Sequence, residues 1–214
     1  MTEKAQSPTV PRLFPGGTVA CLATGPSLTQ SDVNLVRGKV DGVIAISDAI
    51  RLAPWADVLY SCDGKWWKWP HNQEWITSHK GLKYGLKDDV RKVSHLGVQG
   101  LKHTGRQGLE LSPNGLRSGS NSGYQAINLA VHLGASRIVL LGYDMQGKHF
   151  FGDHPDRSKP PFSLCLSLFP ELVKPLAEAG VEILNCTRKT AITCFRRVPL
   201  ESILHRAADE DAVA

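Results

Sequence analysis

The chain has 214 residues, 42% hydrophobic and 21% charged, enough for one full core without disulfide or metal staples. No run approaches the roughly 20 apolar residues that span a bilayer, and the polar start Met1-Thr-Glu-Lys has no signal-like apolar stretch, so a cytoplasmic protein without a transmembrane segment is expected. The formal net charge is +5, and seven Lys and Arg against two Asp between Lys80 and Arg106 account for all of it.

In chain order, residues 1–13 are polar with two prolines and read as a disordered arm. Thr18–Ala23 is a short apolar strand that ends in Thr24-Gly25-Pro26-Ser27, and Ser31–Arg37 is a short helix with Ser31 as its N-cap. Gly42–Ile46 and Asp57–Tyr60 are two further strands. Residues 64–116 are rich in Trp, Gly and Lys with weak periodicity, and only a helix around His71–His79 can be placed there. Order returns with a helix after Ser122, closed by Gly134, and a buried-type strand at Arg137–Leu141. A helix over Phe162–Ala179, kinked at Pro170 and Pro175, leads through Gly180 to a last strand at Val181–Leu184. The tail from Ala207 to Ala214 is acidic and unpatterned.

Strand–helix alternation with short turns predicts an α/β, Rossmann-like, doubly wound and mainly parallel sheet. It forms a single domain over 14–206, with 64–116 as a Trp- and Lys-rich insertion or lid on the acceptor side. The five cysteines are odd in number and form no Cys-x-x-Cys, so they read as reduced thiols, and no zinc or other metal site is expected.

In such sheets ligands bind beyond the carboxyl ends of the strands. Those positions hold Thr24-Gly25-Pro26-Ser27, Ser47 and Asp48, Ser61 and Asp63, and Gly142-Tyr143-Asp144. Gly25-Pro26-Ser27 and the Ser118-Gly-Ser-Asn121-Ser122-Gly123 junction leading into a helix can both present backbone N–H groups to a phosphate, or are an ordinary turn and a flexible loop with an N-cap. There is no Gly-x-x-x-x-Gly-Lys-Ser/Thr and no Gly-x-Gly-x-x-Gly, which disfavours P-loop and dinucleotide sites. His149-Phe-Phe-Gly-Asp153-His154, next to this rim, supplies a candidate general acid or base, or a surface loop. Trp66, Trp67 and Trp69 offer a sugar- or base-stacking platform, but read rather as subdomain core, with at least one ring lining the acceptor cleft.

Cys-Leu-Ala-Thr24-Gly25-Pro26-Ser27-Leu28 and Asn121-Ser122-Gly123 through Gly142-Tyr-Asp144 resemble the bacterial lipooligosaccharide sialyltransferases. They equally resemble the wider 6-hydroxymethylpterin diphosphokinase (MptE-like) group. The resemblance implies a transferase in which Thr24, Gly25, Ser27, Asn121, Ser122 and Gly123 line a nucleotide-sugar donor site. Ser47 or Asp48, and a position near Ser61, would contact the nucleotide. It implies His154 as general base, with Asp153 a one-residue alternative and His149 peripheral, and Tyr143 near the leaving phosphate. That chemistry requires no cofactor. The diphosphokinase-like branch implies instead a pyrophosphokinase with Mg²⁺ held by Asp63 and Asp144. A non-catalytic nucleotide- or nucleic-acid-binding protein of the same fold is the third reading. The Lys80–Arg106 stretch is either a solvated loop or the contact for an anionic acceptor, an acidic glycan or DNA carrying a hydroxylated base.

Overall fold

Short runs of branched and apolar residues become strands buried on both faces: β1 (Thr18–Leu22), β2 (Gly42–Ile46) and β3 (Val58–Tyr60). The computed structural model describes residues 8–153 and 161–204. The chain continues through α2 (Gln73–Ser78), β4 (Leu82–Leu86), α3 (Lys87–Val90), β5 (Gln99–His103), β6 (Gly115–Leu116), α4 (Ser122–His132) and β7 (Arg137–Leu141). It closes with α5 (Phe162–Leu168), α6 (Val173–Glu178), β8 (Glu182–Asn185) and β9 (Arg196–Arg197); α1 (Gln30–Val36) lies between β1 and β2.

The nine strands of the described residues form one parallel sheet of order β6-β5-β4-β3-β2-β1-β7-β8-β9. The chain walks from β1 out to β6, and α4 then carries it back to lay β7 on the other side of β1. The order therefore reverses between β1 and β7, and the crevice beyond their carboxyl ends is where such a sheet binds ligands. Helices cover both faces. α4, α5 and the turns around Phe169 pack with Tyr60, Tyr84 and Leu140 on one face, and α1 and the Trp66–Trp67 turn pack with Leu22, Leu59 and Leu141 on the other. This is the α/β Rossmann-like fold that the alternation predicts.

Several local details differ from the sequence reading. The N-cap of α1 is Thr29, not Ser31: its side chain accepts from Asp32 N–H while the Asp32 carboxylate accepts from Thr29 N–H, a reciprocal box that Ser31 cannot form. Residues 64–116 carry three strands that weak periodicity did not reveal. The 162–179 helix is broken, not bent, into α5, a 3-10 turn at Phe169–Leu172 and α6, because Pro170 falls at the head of the turn and Pro175 in the first turn of α6. Within the expected N-terminal arm, Val10 is buried and its N–H bonds the Pro113 carbonyl at 2.9 Å, so its apolar side chain anchors the segment. Residues 1–7 and the acidic 207–214 tail lie outside the described residues.

Two histidines of the described residues are buried. His132, in the last turn of α4, is 2.9 Å from the Gly115 carbonyl through Nε2, a bond the neutral ring makes by donating. Burial penalises the imidazolium and holds the pKa of His132 and of His79 below the ordinary histidine value; at His79 the nearby Lys83 adds to this. The unfolded chain thus binds these protons more readily than the native one. Their contribution is complete above the unfolded histidine pKa of ~6.5 and is lost as pH falls below it. The melting temperature should be level from about pH 8 to 7 and decline between about pH 6.5 and 5. His132→Gln, which keeps a donor for Gly115, should flatten part of that decline, and an unchanged slope in the variant would remove His132 as a cause.

Candidate functional site at the carboxyl rim

The turn after β1 is tied to the end of β7. Gly25 N–H donates to the Gly142 carbonyl at 2.8 Å, and Leu28 N–H donates to the Gly25 carbonyl at 3.1 Å. Ser27 donates its N–H and its hydroxyl to the Asp144 carboxylate at 3.0 and 2.8 Å. Pro26 has no N–H to give. These donors of the Gly-Pro-Ser turn are therefore spent inside the protein, and the turn is a clasp between β1 and β7, not the open phosphate cradle that the sequence suggests. Asp144 is buried behind it; burial raises its carboxyl pKa, an effect that the Ser27 bonds oppose.

The second turn is different. Asn121 caps α4 by accepting from Tyr124 N–H at 2.8 Å and anchors itself through its amide on the Gly119 carbonyl at 2.9 Å. The Ser122 hydroxyl accepts from Cys62 N–H at 3.0 Å, which fastens α4 to the end of β3. The Tyr143 hydroxyl donates to the Gly123 carbonyl at 3.0 Å and supports the first turn from below. Helix geometry gives the first-turn N–H groups of Ser122 and Gly123 no intrahelical acceptor, so the positive end of α4 opens onto the rim.

Beyond β2, Ser47 adopts a left-handed conformation (φ +49°) and donates to the Ser61 hydroxyl at 2.9 Å. Asp48 follows, with Oδ2 accepting from the Trp66 indole N–H at 2.8 Å. Asp63, beyond β3, has its N–H on the Ser61 hydroxyl at 3.3 Å. Trp66 meets Trp67 edge to face at 5.0 Å; Trp67 is core, whereas Trp66 also forms a wall of the rim.

The loop after β7 completes the site. His149 Nδ1 lies 2.9 Å from the Thr24 hydroxyl, and Phe150 N–H donates to the Thr24 carbonyl at 3.0 Å. The His149 ring stacks on Phe151 at 4.9 Å with the planes 1° apart, and the Arg51 guanidinium lies 5.7 Å from the Phe151 ring centre. Asp153 is exposed and paired with Lys148 at 2.9 Å, outside the cleft; His154 lies outside the described residues.

Together these parts enclose a cleft of about 230 Å³. Of the residues expected there, Thr24, Gly25, Ser47, Asp48, Asp63, Asn121, Ser122, Gly123, Tyr143 and His149 line it. Ser27, Ser61 and Asp144 stand behind the wall as its supports, and Pro26 is exposed outside it. Ser120, from the small-residue junction before α4, lines it too, as do Met145, Phe151 and Phe162, which sequence reasoning missed. Ser120 and Met145 carry a signal visible only in the backbone: with Ser47, they are the non-glycine residues of the described chain with positive φ (+60°, +50° and +49°), and all three face this cleft. Each such residue costs on the order of 1–3 kcal/mol, and strain of this kind concentrates at binding sites.

The fold has a solved counterpart. It is similar to the structure of a MAf glycosyltransferase from Magnetospirillum magneticum AMB-1, with a TM-score of 0.65 and 12% sequence identity over 95% of this chain. The chain spans 38% of the length of that glycosyltransferase, and at this identity the likeness is one of fold. No protein-family model matches the chain, and no curated protein matches it. Among the described residues no helix is long and apolar enough to cross a membrane.

The basic segment from Lys80 to Arg106 is built into the sheet as β4, α3 and β5, and none of its cations lines the cleft. Lys83 is partly buried with its ammonium on the Leu96 carbonyl at 3.2 Å, and burial holds its pKa below the ordinary lysine value. Lys148, after β7, is a cation that does line the cleft.

Proposed function

We propose that the chain is a glycosyltransferase-like enzyme that binds a nucleotide-sugar donor in the rim cleft. A histidine of the 149–154 loop acts as general base towards an acceptor hydroxyl. The observation that carries this reading is the convergence at the β1–β7 crossing of the α4 first turn, an aromatic wall, His149 and three left-handed non-glycine residues. The fold likeness to a glycosyltransferase supports the transferase class. His149 is held against the cleft, with Nδ1 on Thr24, and it is the base of this proposal; His154 lies outside the described residues. Its Nε2 takes the acceptor proton as the acceptor oxygen bonds to the anomeric carbon. The carbon–oxygen bond to the donor phosphate breaks, and the phosphate leaves towards the Ser122 and Gly123 amides. The acceptor in this reading is anionic, a glycan or DNA carrying a hydroxylated base, and meets Lys148 at the cleft.

A ligand that binds only the folded state raises its melting temperature. CMP, UMP, their sugar conjugates and ATP, each with and without Mg²⁺, form the test panel. A cytidine or uridine nucleotide at ~100 times its Kd should raise the midpoint by about 5–10 °C without metal. Stabilisation by ATP alone, and only with Mg²⁺, would turn the assignment to a pyrophosphokinase. No shift with any nucleotide would reject the donor site.

A further inference from the structure

We propose that Asp48 reads hydroxyl groups in the cleft and selects a ribose with both its 2′- and 3′-hydroxyls; this rests on the nucleotide reading above. Asp48 is only 4% exposed, yet it forms part of the cleft wall. A backbone turn and two contacts set where its carboxylate stands. The left-handed Ser47 turns the chain immediately before it and is itself bonded to Ser61. Oδ2 is held at 2.8 Å by Trp66 Nε1, and Trp66 is 2% exposed, so this anchor has no room to swing. Oδ1 lies 3.5 Å from Arg51 Nη1, at the outer limit of a hydrogen bond.

A carboxylate offers about four lone-pair sites and accepts only. With one strong and one marginal protein partner, Asp48 keeps acceptor capacity that a bound ligand can use. It therefore favours hydroxyl donors and repels phosphate. The first turn of α4, on the same cleft, has the opposite character, with N–H donors at a positive helix end. A ligand suited to both has a diol at one end and an anion at the other, as a ribonucleoside phosphate does. Its sugar lies against Asp48 and its phosphate against Ser122 and Gly123. A 2′-deoxyribose removes one donor and leaves a desolvated carboxylate short of a partner. Hydrogen bonds to charged groups carry enough energy for this to weaken binding ~10- to 100-fold.

The test compares CMP, UMP, AMP and GMP with their 2′-deoxy forms by calorimetric titration of the full chain and of Asp48→Asn. The amide oxygen in the variant can still accept from Trp66, but the charge and part of the acceptor capacity are gone. The wild-type protein should bind its preferred ribonucleotide ~10- to 100-fold tighter than the deoxy form. In Asp48→Asn the gap should close to within about threefold, through loss of ribonucleotide affinity. Equal affinity of both sugars for the wild type overturns the inference without any variant, and so does a preference that survives in Asp48→Asn. Binding without ribose preference sinks this inference alone, whereas no binding by any nucleotide sinks the donor-site reading and this inference with it.

Discussion

His149→Ala should lower turnover by about 10²–10⁴-fold, the usual worth of a positioned base, and leave donor binding within a few-fold of wild type. The assay uses whichever sugar nucleotide stabilises the fold most. The ring is positioned twice over: Nδ1 is 2.9 Å from the Thr24 hydroxyl, and one face is stacked on Phe151 at 4.9 Å. Removing the ring leaves the α4 first turn and Asp48 in place, so the effect should appear in kcat and not in nucleotide affinity. His154→Ala is the matched comparison, because the sialyltransferase resemblance implies His154. If His154→Ala carries the loss and His149→Ala is nearly normal, that register is right and His149 is a wall residue.

The strands that the sequence made legible are those at the centre of the sheet. β1, β2 and β7 are runs of small and branched apolar residues because both of their faces are covered. β4 and β5 were hidden by the demands of packing. A Cβ on Gly85 would come within 2.5 Å of Val90 and one on Gly100 within 2.7 Å of the Lys87 backbone, so both strands spend a position on glycine where α3 presses close. Lys83 further blurs β4, since it lies in the strand yet sends its ammonium to the Leu96 carbonyl.

The rim residues were legible because polar residues at strand ends stand out against apolar runs. Their roles were not, because partners far apart in sequence decide them. Ser27 and Asp144 are 117 residues apart, and Thr24 and His149 are 125 apart. Read alone, Gly25-Pro26-Ser27 offers amides to a phosphate; with Asp144 and Gly142 beside it, those amides are already used. Asp48 shows the converse. It is close to Trp66 in sequence, but no spacing rule announces that an indole will hold one oxygen of a carboxylate in a cleft wall.

That reassignment makes Gly25→Ala an informative substitution. Gly25 has no positive φ, so its backbone accepts alanine, and on conformational entropy alone the change would stabilise the fold by roughly 0.4–1 kcal/mol. Contact decides otherwise. The new Cβ would lie 2.1 Å from Asp144 Oδ2 and 2.4 Å from the Gly142 carbonyl oxygen. The carboxylate can move only by giving up its bonds to Ser27, and the carbonyl belongs to the end of a central strand. Overpacking of this kind costs about 1–3 kcal/mol, so the melting temperature should fall by roughly 2–12 °C with no ligand present. Adding Asp144→Ala should not restore it, because Gly142 remains in the way and the Ser27 donors lose their acceptor. A melting temperature equal to wild type in the absence of ligand, together with lost nucleotide affinity, would return Gly25 to the phosphate site and overturn its role as the clasp between β1 and β7.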